Sequence, residues 1–94
     1  MLNARLTVNN ELGLHARAAA NLIRGISTFK SSITLTRADT SLSADAKSIL
    51  SILTLAATKG TVLEIAVDGP DETDAFVAIQ SAFDSGFGEN TIDT

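Results

Sequence analysis

The chain has one histidine, His15, and an arginine, Arg17, stands two residues after it in the run Gly13-Leu14-His15-Ala16-Arg17. An Ala-rich segment begins at the same point, which places the imidazole at a helix start, beside backbone N–H groups that lack a carbonyl partner four residues back. Those groups and the helix dipole attract anions, and Arg17 adds a planar, permanently charged donor fork that matches phosphate oxygens. A neutral imidazole, an N–H cradle and a guanidinium can together accept a phosphoryl group on nitrogen and hold it. Taken alone, the same residues also fit a surface histidine near a helix cap and a solvated arginine. Several other chemistries are excluded. Without cysteine, and with a single histidine, the chain can form no disulfide, thiolate nucleophile or multi-histidine metal site. No metal or cofactor is expected.

Positioning these groups requires a scaffold, and its elements can be read from periodicity. Ala4, Leu6 and Val8 alternate with Arg5, Thr7 and Asn9, the period of a strand buried on one face. Asn9-Asn10-Glu11-Leu12-Gly13 breaks that pattern. Ala19, Leu22, Ile23 and Ile26 then fall at helical spacing, with Gly25 near the helix end. Ile33 and Leu35 mark a second strand, and Leu42 and Ala44 mark a shorter hairpin partner. Residues 47–57 have helical propensity but almost no polar face, because Ile49, Leu50, Ile52, Leu53 and Leu55 crowd the segment. One side of that helix must be either core or exposed apolar surface. Residues 61–67 read as a central strand, and Asp68-Gly69-Pro70 turns the chain. A third helix follows, with Asp71, Glu72 and Asp74 suiting its dipole and Ala75, Phe76, Ile79, Ala82 and Phe83 as its apolar stripe. The order βαββαβα predicts a two-layer α+β sandwich, an antiparallel sheet of four strands with three helices on one face.

At 94 residues and 45% apolar content the chain is one domain with material for an aliphatic core. Residues 1–88 form that domain by this reading, and 89–94 a polar tail. Net charge is −4, split between seven Lys/Arg and four Asp/Glu in residues 1–67 and seven Asp/Glu without a base in 68–94. An acidic chain with no basic stripe is a poor nucleic-acid binder, so protein partners are expected. No apolar run has the length or flanks of a signal peptide or membrane span, which points to the cytoplasm.

Gly13-Leu14-His15-Ala16-Arg17 followed by Ala18-Ala19-Ala20 resembles the active-site segment Gly-Leu-His-(Ala/Thr)-Arg-Pro-Ala-Ala of the histidine-containing phosphocarrier family, HPr, of the bacterial sugar phosphotransferase system. A second segment in register, Lys47-Ser48-Ile49-Leu50-Ser51-Ile52-Leu53 with Lys59-Gly60-Thr61 beyond it, resembles the family's Lys-Ser-Ile-Met-Gly-(Ile/Val)-Met stretch and its following Gly-Thr. The resemblance spans about residues 2–88 and implies an open-faced β-sandwich. It also implies roles. His15 would take a phosphoryl group from phosphorylated Enzyme I, itself charged from phosphoenolpyruvate, and pass it to a histidine of a IIA domain, with Arg17 holding the phosphoryl oxygens. Ile49, Leu50 and Leu53 would form the apolar docking face, with Arg24 and Lys47 as basic rim residues. Ser48 would be the regulatory serine of an HPr kinase/phosphorylase as well as a helix cap. A monomeric carrier without turnover of its own is implied.

The chain departs from the family at three places. Ala18 replaces the usual proline, which removes a fixed φ and loosens the cradle. Residues 38–46 run about two longer than in many relatives, so the third strand is expected to be remodelled. Ser51 stands where Gly or Lys is common. Two other readings remain: a nitrogen-related or regulatory phosphotransferase carrier with the same His15, and a small-molecule-binding regulatory α+β module, which gives no reason for the His15-Ala16-Arg17 turn.

Overall fold

In the computed structural model, which describes residues 1–88, the period-two alternation at the start of the chain forms strand β1 (Leu2–Thr7). It is followed by α1 (Ala16–Ile26), β2 (Ser32–Arg37), β3 (Ser43–Asp45), α2 (Ile49–Thr54), β4 (Val62–Asp68) and α3 (Glu72–Asp84). Residues 89–94, expected as a polar tail, lie outside the described residues. The strands form one antiparallel sheet in the order β1-β4-β2-β3. Sequence periodicity gives no pairing order; the register does. Ala4, Ile65, Leu35 and Ala44 stand opposite one another across all four strands on the helix-covered face. One step along, Arg5, Glu64, Thr36 and Ser43 make the matching row on the open face, where Arg5 pairs with Glu64 at 2.7 Å and the two hydroxyls lie 2.8 Å apart.

The core between sheet and helices is aliphatic, as composition requires. Leu22 and Ile26 of α1, Ile33 and Leu35 of β2, Leu63 and Ile65 of β4 and Ile79 of α3 are fully enclosed. Phe83 and Phe87 close one end edge-to-face, with ring centroids 4.9 Å apart.

The second helix is shorter than the predicted 47–57. Ser48 begins it by accepting the Ser51 N–H at 3.3 Å, and it ends at Thr54 because the chain turns through a left-handed Ala56 (φ 50°). The carbonyl of Ala57 then leaves the helix axis to accept the Leu14 N–H at 2.8 Å. Tertiary demand overrides propensity here. The surplus of apolar residues resolves into Ile52 and Leu55, which are buried, and Leu50, which is 74% exposed. The 38–46 segment is organised by Arg37. Its guanidinium grips Asp39 at 2.8 Å and donates to the carbonyls of Leu55 and Ala56, so the hairpin is tied to the end of α2. β3 is correspondingly brief, with Ala44 buried and Leu42 half exposed.

Glu72 and Asp74 load the first turn of α3 with negative charge as expected, and Asp71 stands one residue before it. Asp71 occupies the N-cap position of α3 but makes no cap bond. Its carboxylate turns to the α1–β2 loop and accepts the Ser31 hydroxyl at 2.5 Å and the N–H groups of Lys30 and Ser31 at 2.8 and 2.9 Å. The Ser31 hydroxyl first, then the Lys30 amide, hold its pKa down at about 2. Gly69 permits this clasp, since a Cβ there would lie 2.5 Å from the Ser31 Cα.

Candidate active site

His15 is placed by the turn before it. Gly13 adopts φ 73°, and a Cβ on it would lie 2.5 Å from the Ala57 carbonyl oxygen, so only glycine fits. The Gly13 N–H donates to the Asn10 carbonyl at 3.1 Å, and the buried Asn10 amide returns a bond to the Gly13 carbonyl at 2.7 Å. Leu14 is buried in the core beside it. His15 is thus held between a fixed turn and an anchored side chain, and its partly exposed imidazole stands on the surface of both.

The residue is itself the N-cap of α1, with extended backbone (φ −83°, ψ −175°). Its Nδ1 accepts the Arg17 backbone N–H at 3.2 Å, and its carbonyl accepts the Ala19 N–H at 2.8 Å. An accepting Nδ1 carries a lone pair, so the ring proton of this tautomer sits on Nε2. The helix begins at Ala16 although Ala18 stands where the family's proline is usual, and Ala18 is fully buried. The Arg17 guanidinium is exposed and pairs with no carboxylate among the described residues.

A shallow groove runs past the imidazole, lined by Leu12, Leu14, Leu53, Ala56 and Thr58. Leu53 is thereby brought to His15, with Ile49 and Leu50 further back along α2, 37% and 74% exposed. The two helices run so that the end of α2 meets the start of α1. Ser48 and Lys47 therefore lie at the opposite end, where the Lys47 ammonium donates to the Phe29 carbonyl at 2.6 Å. That bond ties α2 to the chain beyond α1 and away from His15. Arg24, two turns down α1, is exposed and donates to the Asn21 side chain, which in turn donates to the Phe87 carbonyl at 2.8 Å. Sequence reasoning missed Leu12, which read only as part of a strand break. An exposed leucine inside Asn9-Asn10-Glu11-Leu12-Gly13 was the available signal.

Fold and site define a small open-faced α+β domain that presents one imidazole at a helix start. The family described as PTS HPr component phosphorylation site matches residues 2–85. Phosphocarrier protein HPr of Xylella fastidiosa (strain Temecula1) is 44% identical over 91 residues, 97% of this chain and 100% of that protein. Phosphocarrier protein NPr of Proteus mirabilis is 38% identical over 86 residues, covering 92% and 94% respectively. The crystal structure of an HPr from Thermoanaerobacter tengcongensis has a TM-score of 0.86 at 34% identity, covering 95% of this chain and 98% of that one. The chain belongs to the HPr family of phosphocarrier proteins of the phosphotransferase system.

Proposed function

We propose that His15 receives a phosphoryl group from phosphorylated Enzyme I on its Nδ1 and passes it to a histidine of a IIA domain in sugar uptake. The observation that carries this reading is the 3.2 Å contact between Nδ1 and the Arg17 N–H, which aims the ring's lone pair at the start of α1. A phosphoryl group bonded there has its oxygens among the unpaired N–H groups of the first turn and within the field of the helix dipole. The Arg17 side chain supplies a further charge donor. The P–N bond forms as the bond from phosphorus to the donor breaks, and the reverse exchange delivers the group onward. No residue of the carrier needs to act as acid or base beyond the imidazole itself.

Leu53, Leu50 and Ile49 give the partners an apolar docking face, and Arg24 adds a basic group beside it. Lys47 contributes more to holding α2 than to a rim. Ser48 serves as cap and, in a cell with an HPr kinase/phosphorylase, as phosphosite; a phosphate there sits at the start of α2 and places negative charge next to Ile49 and Leu50. We take the carrier to be a cytoplasmic monomer. Among the described residues no helix is long and apolar enough to cross a membrane.

The nitrogen-related branch is a second reading, favoured by the likeness to the NPr protein. Incubation with phosphoenolpyruvate, Mg²⁺ and Enzyme I tests the common step, with an acid-labile gain of one phosphoryl group as the expected result. Offering the charged protein to a sugar-transporter IIA domain and to a nitrogen-related IIA-like regulator separates the branches.

A further inference from the structure

The β1–α1 loop carries an exposed apolar group that the docking face on α2 does not include. Leu12 is 71% exposed, yet its loop is not loose. Gly13 and Asn10 bond to each other on one side of it, and on the other Glu11 pairs with the Lys59 ammonium at 2.6 Å. The buried Asn10–Gly13 bonds fix the backbone that carries Leu12, whose side chain stands in solvent. Leu12, Leu53 and Ala56 line one groove with His15. Fixing a large aliphatic side chain in water gains the free fold nothing.

We infer that Leu12 is a specificity-determining contact for the phosphoryl-exchange partners, forming with Leu53 and Ala56 a slot that takes an aliphatic side chain beside the partner's reacting atom. The inference rests on the phosphocarrier reading. Transfer to or from Nδ1 brings the partner's reacting atom to within bonding distance of phosphorus on His15. Any surface that does so covers the groove in which His15 lies, and Leu12 is covered with it. Because donor and acceptor must each approach the same atom, the contact is shared by both.

Phosphoryl transfer from Enzyme I and to a IIA domain should be measured with Leu12→Asn, Leu12→Met and wild type, alongside thermal melts and sedimentation. Asparagine removes the apolar body without adding a charge to the groove that holds His15, so KM should rise about tenfold for both partners, the loss expected for most of a leucine's burial. Transfer at saturating partner and the melting temperature should stay near wild type. Methionine should restore KM. An unchanged KM in Leu12→Asn, or a rise accompanied by a lowered melting temperature, overturns the inference while leaving the phosphocarrier reading standing. If wild type self-associates and Leu12→Asn abolishes that association without changing KM, the slot belongs to a second copy and the inference fails. Absence of phosphoryl acceptance by wild type would overturn the underlying reading itself.

Discussion

A methyl group at position 13 would press to within 2.5 Å of the Ala57 carbonyl oxygen, on a backbone already in the left-handed region. Gly13→Ala should therefore cost at least about 1–2 kcal/mol from the backbone conformation alone. Urea unfolding measures that cost. The same substitution should slow transfer, since His15 takes its place from this turn. Arg17 behaves differently, because its side chain is exposed and carries no part of the core. Arg17→Ala should leave the melting temperature unchanged and slow phosphoryl transfer by about 10²–10³-fold, the usual loss for one preorganised charge donor. A wild-type rate in stopped-flow transfer would assign the stabilisation to the backbone amides alone. The placing of His15 and Arg17 at a helix start was legible from Gly13-Leu14-His15-Ala16-Arg17, since it is a local feature, whereas the left-handed turn at Gly13 depends on the distant Ala57. The acceptor state of Nδ1 was not, as it depends on the extended backbone of His15. Leu12 was hidden for a related reason: its exposure follows from a turn that the buried Asn10 side chain closes on Gly13.

Helix α2 and the Asp71 clasp show where elements depend on distant chain. Propensity and hydropathy extend the second helix to Ala57, whereas the chain leaves the helix at Thr54 and turns through a left-handed Ala56, after which the Ala57 carbonyl accepts the Leu14 N–H. Ser48 was legible as a cap, but its distance from His15 was not, because that depends on which ends of α1 and α2 meet. Ser48→Ala should lower stability by about 1 kcal/mol through loss of the cap. Ser48→Asp retains a cap acceptor and should slow phosphorylation by Enzyme I through repulsion at the docking face, with little change in melting temperature. Equal rates for Ser48→Asp and wild type would leave the serine as a cap only. Asp71 makes the fold acid-sensitive in a defined window. Its pKa of about 2 lies below the unfolded carboxylate value, so the clasp stabilises the fold fully above the ordinary carboxylate range. That contribution is lost as pH falls from about 4 toward 2. Acid titration of melting temperature should be shallower in Asp71→Asn over that window; an identical slope would mean that the clasp is already broken in solution.

At the scale of the whole molecule, the apolar alternation of four strands and three helical stripes was enough to give a two-layer α+β architecture, yet not the strand order β1-β4-β2-β3. Pairing order is a long-range property. It became legible only through resemblance to a family of known arrangement. The finished scaffold separates two faces: an open sheet of paired hydroxyls and an exposed ion pair, and a helical face on which His15 lies beside apolar side chains. The exposed pair contributes little to stability. On the helical face, Leu12 of the β1–α1 loop and Leu53 of α2 line one groove with His15.

The central claim is that Nδ1 of His15 carries the phosphoryl group. Heteronuclear NMR of protein labelled with ¹⁵N at the imidazole and charged with phosphoenolpyruvate and Enzyme I tests it directly. The account predicts coupling of phosphorus to Nδ1 of His15, with no phosphorylation of His15→Ala under the same conditions. Phosphorus coupled to Nε2, or phosphorylation that persists in His15→Ala, would contradict it.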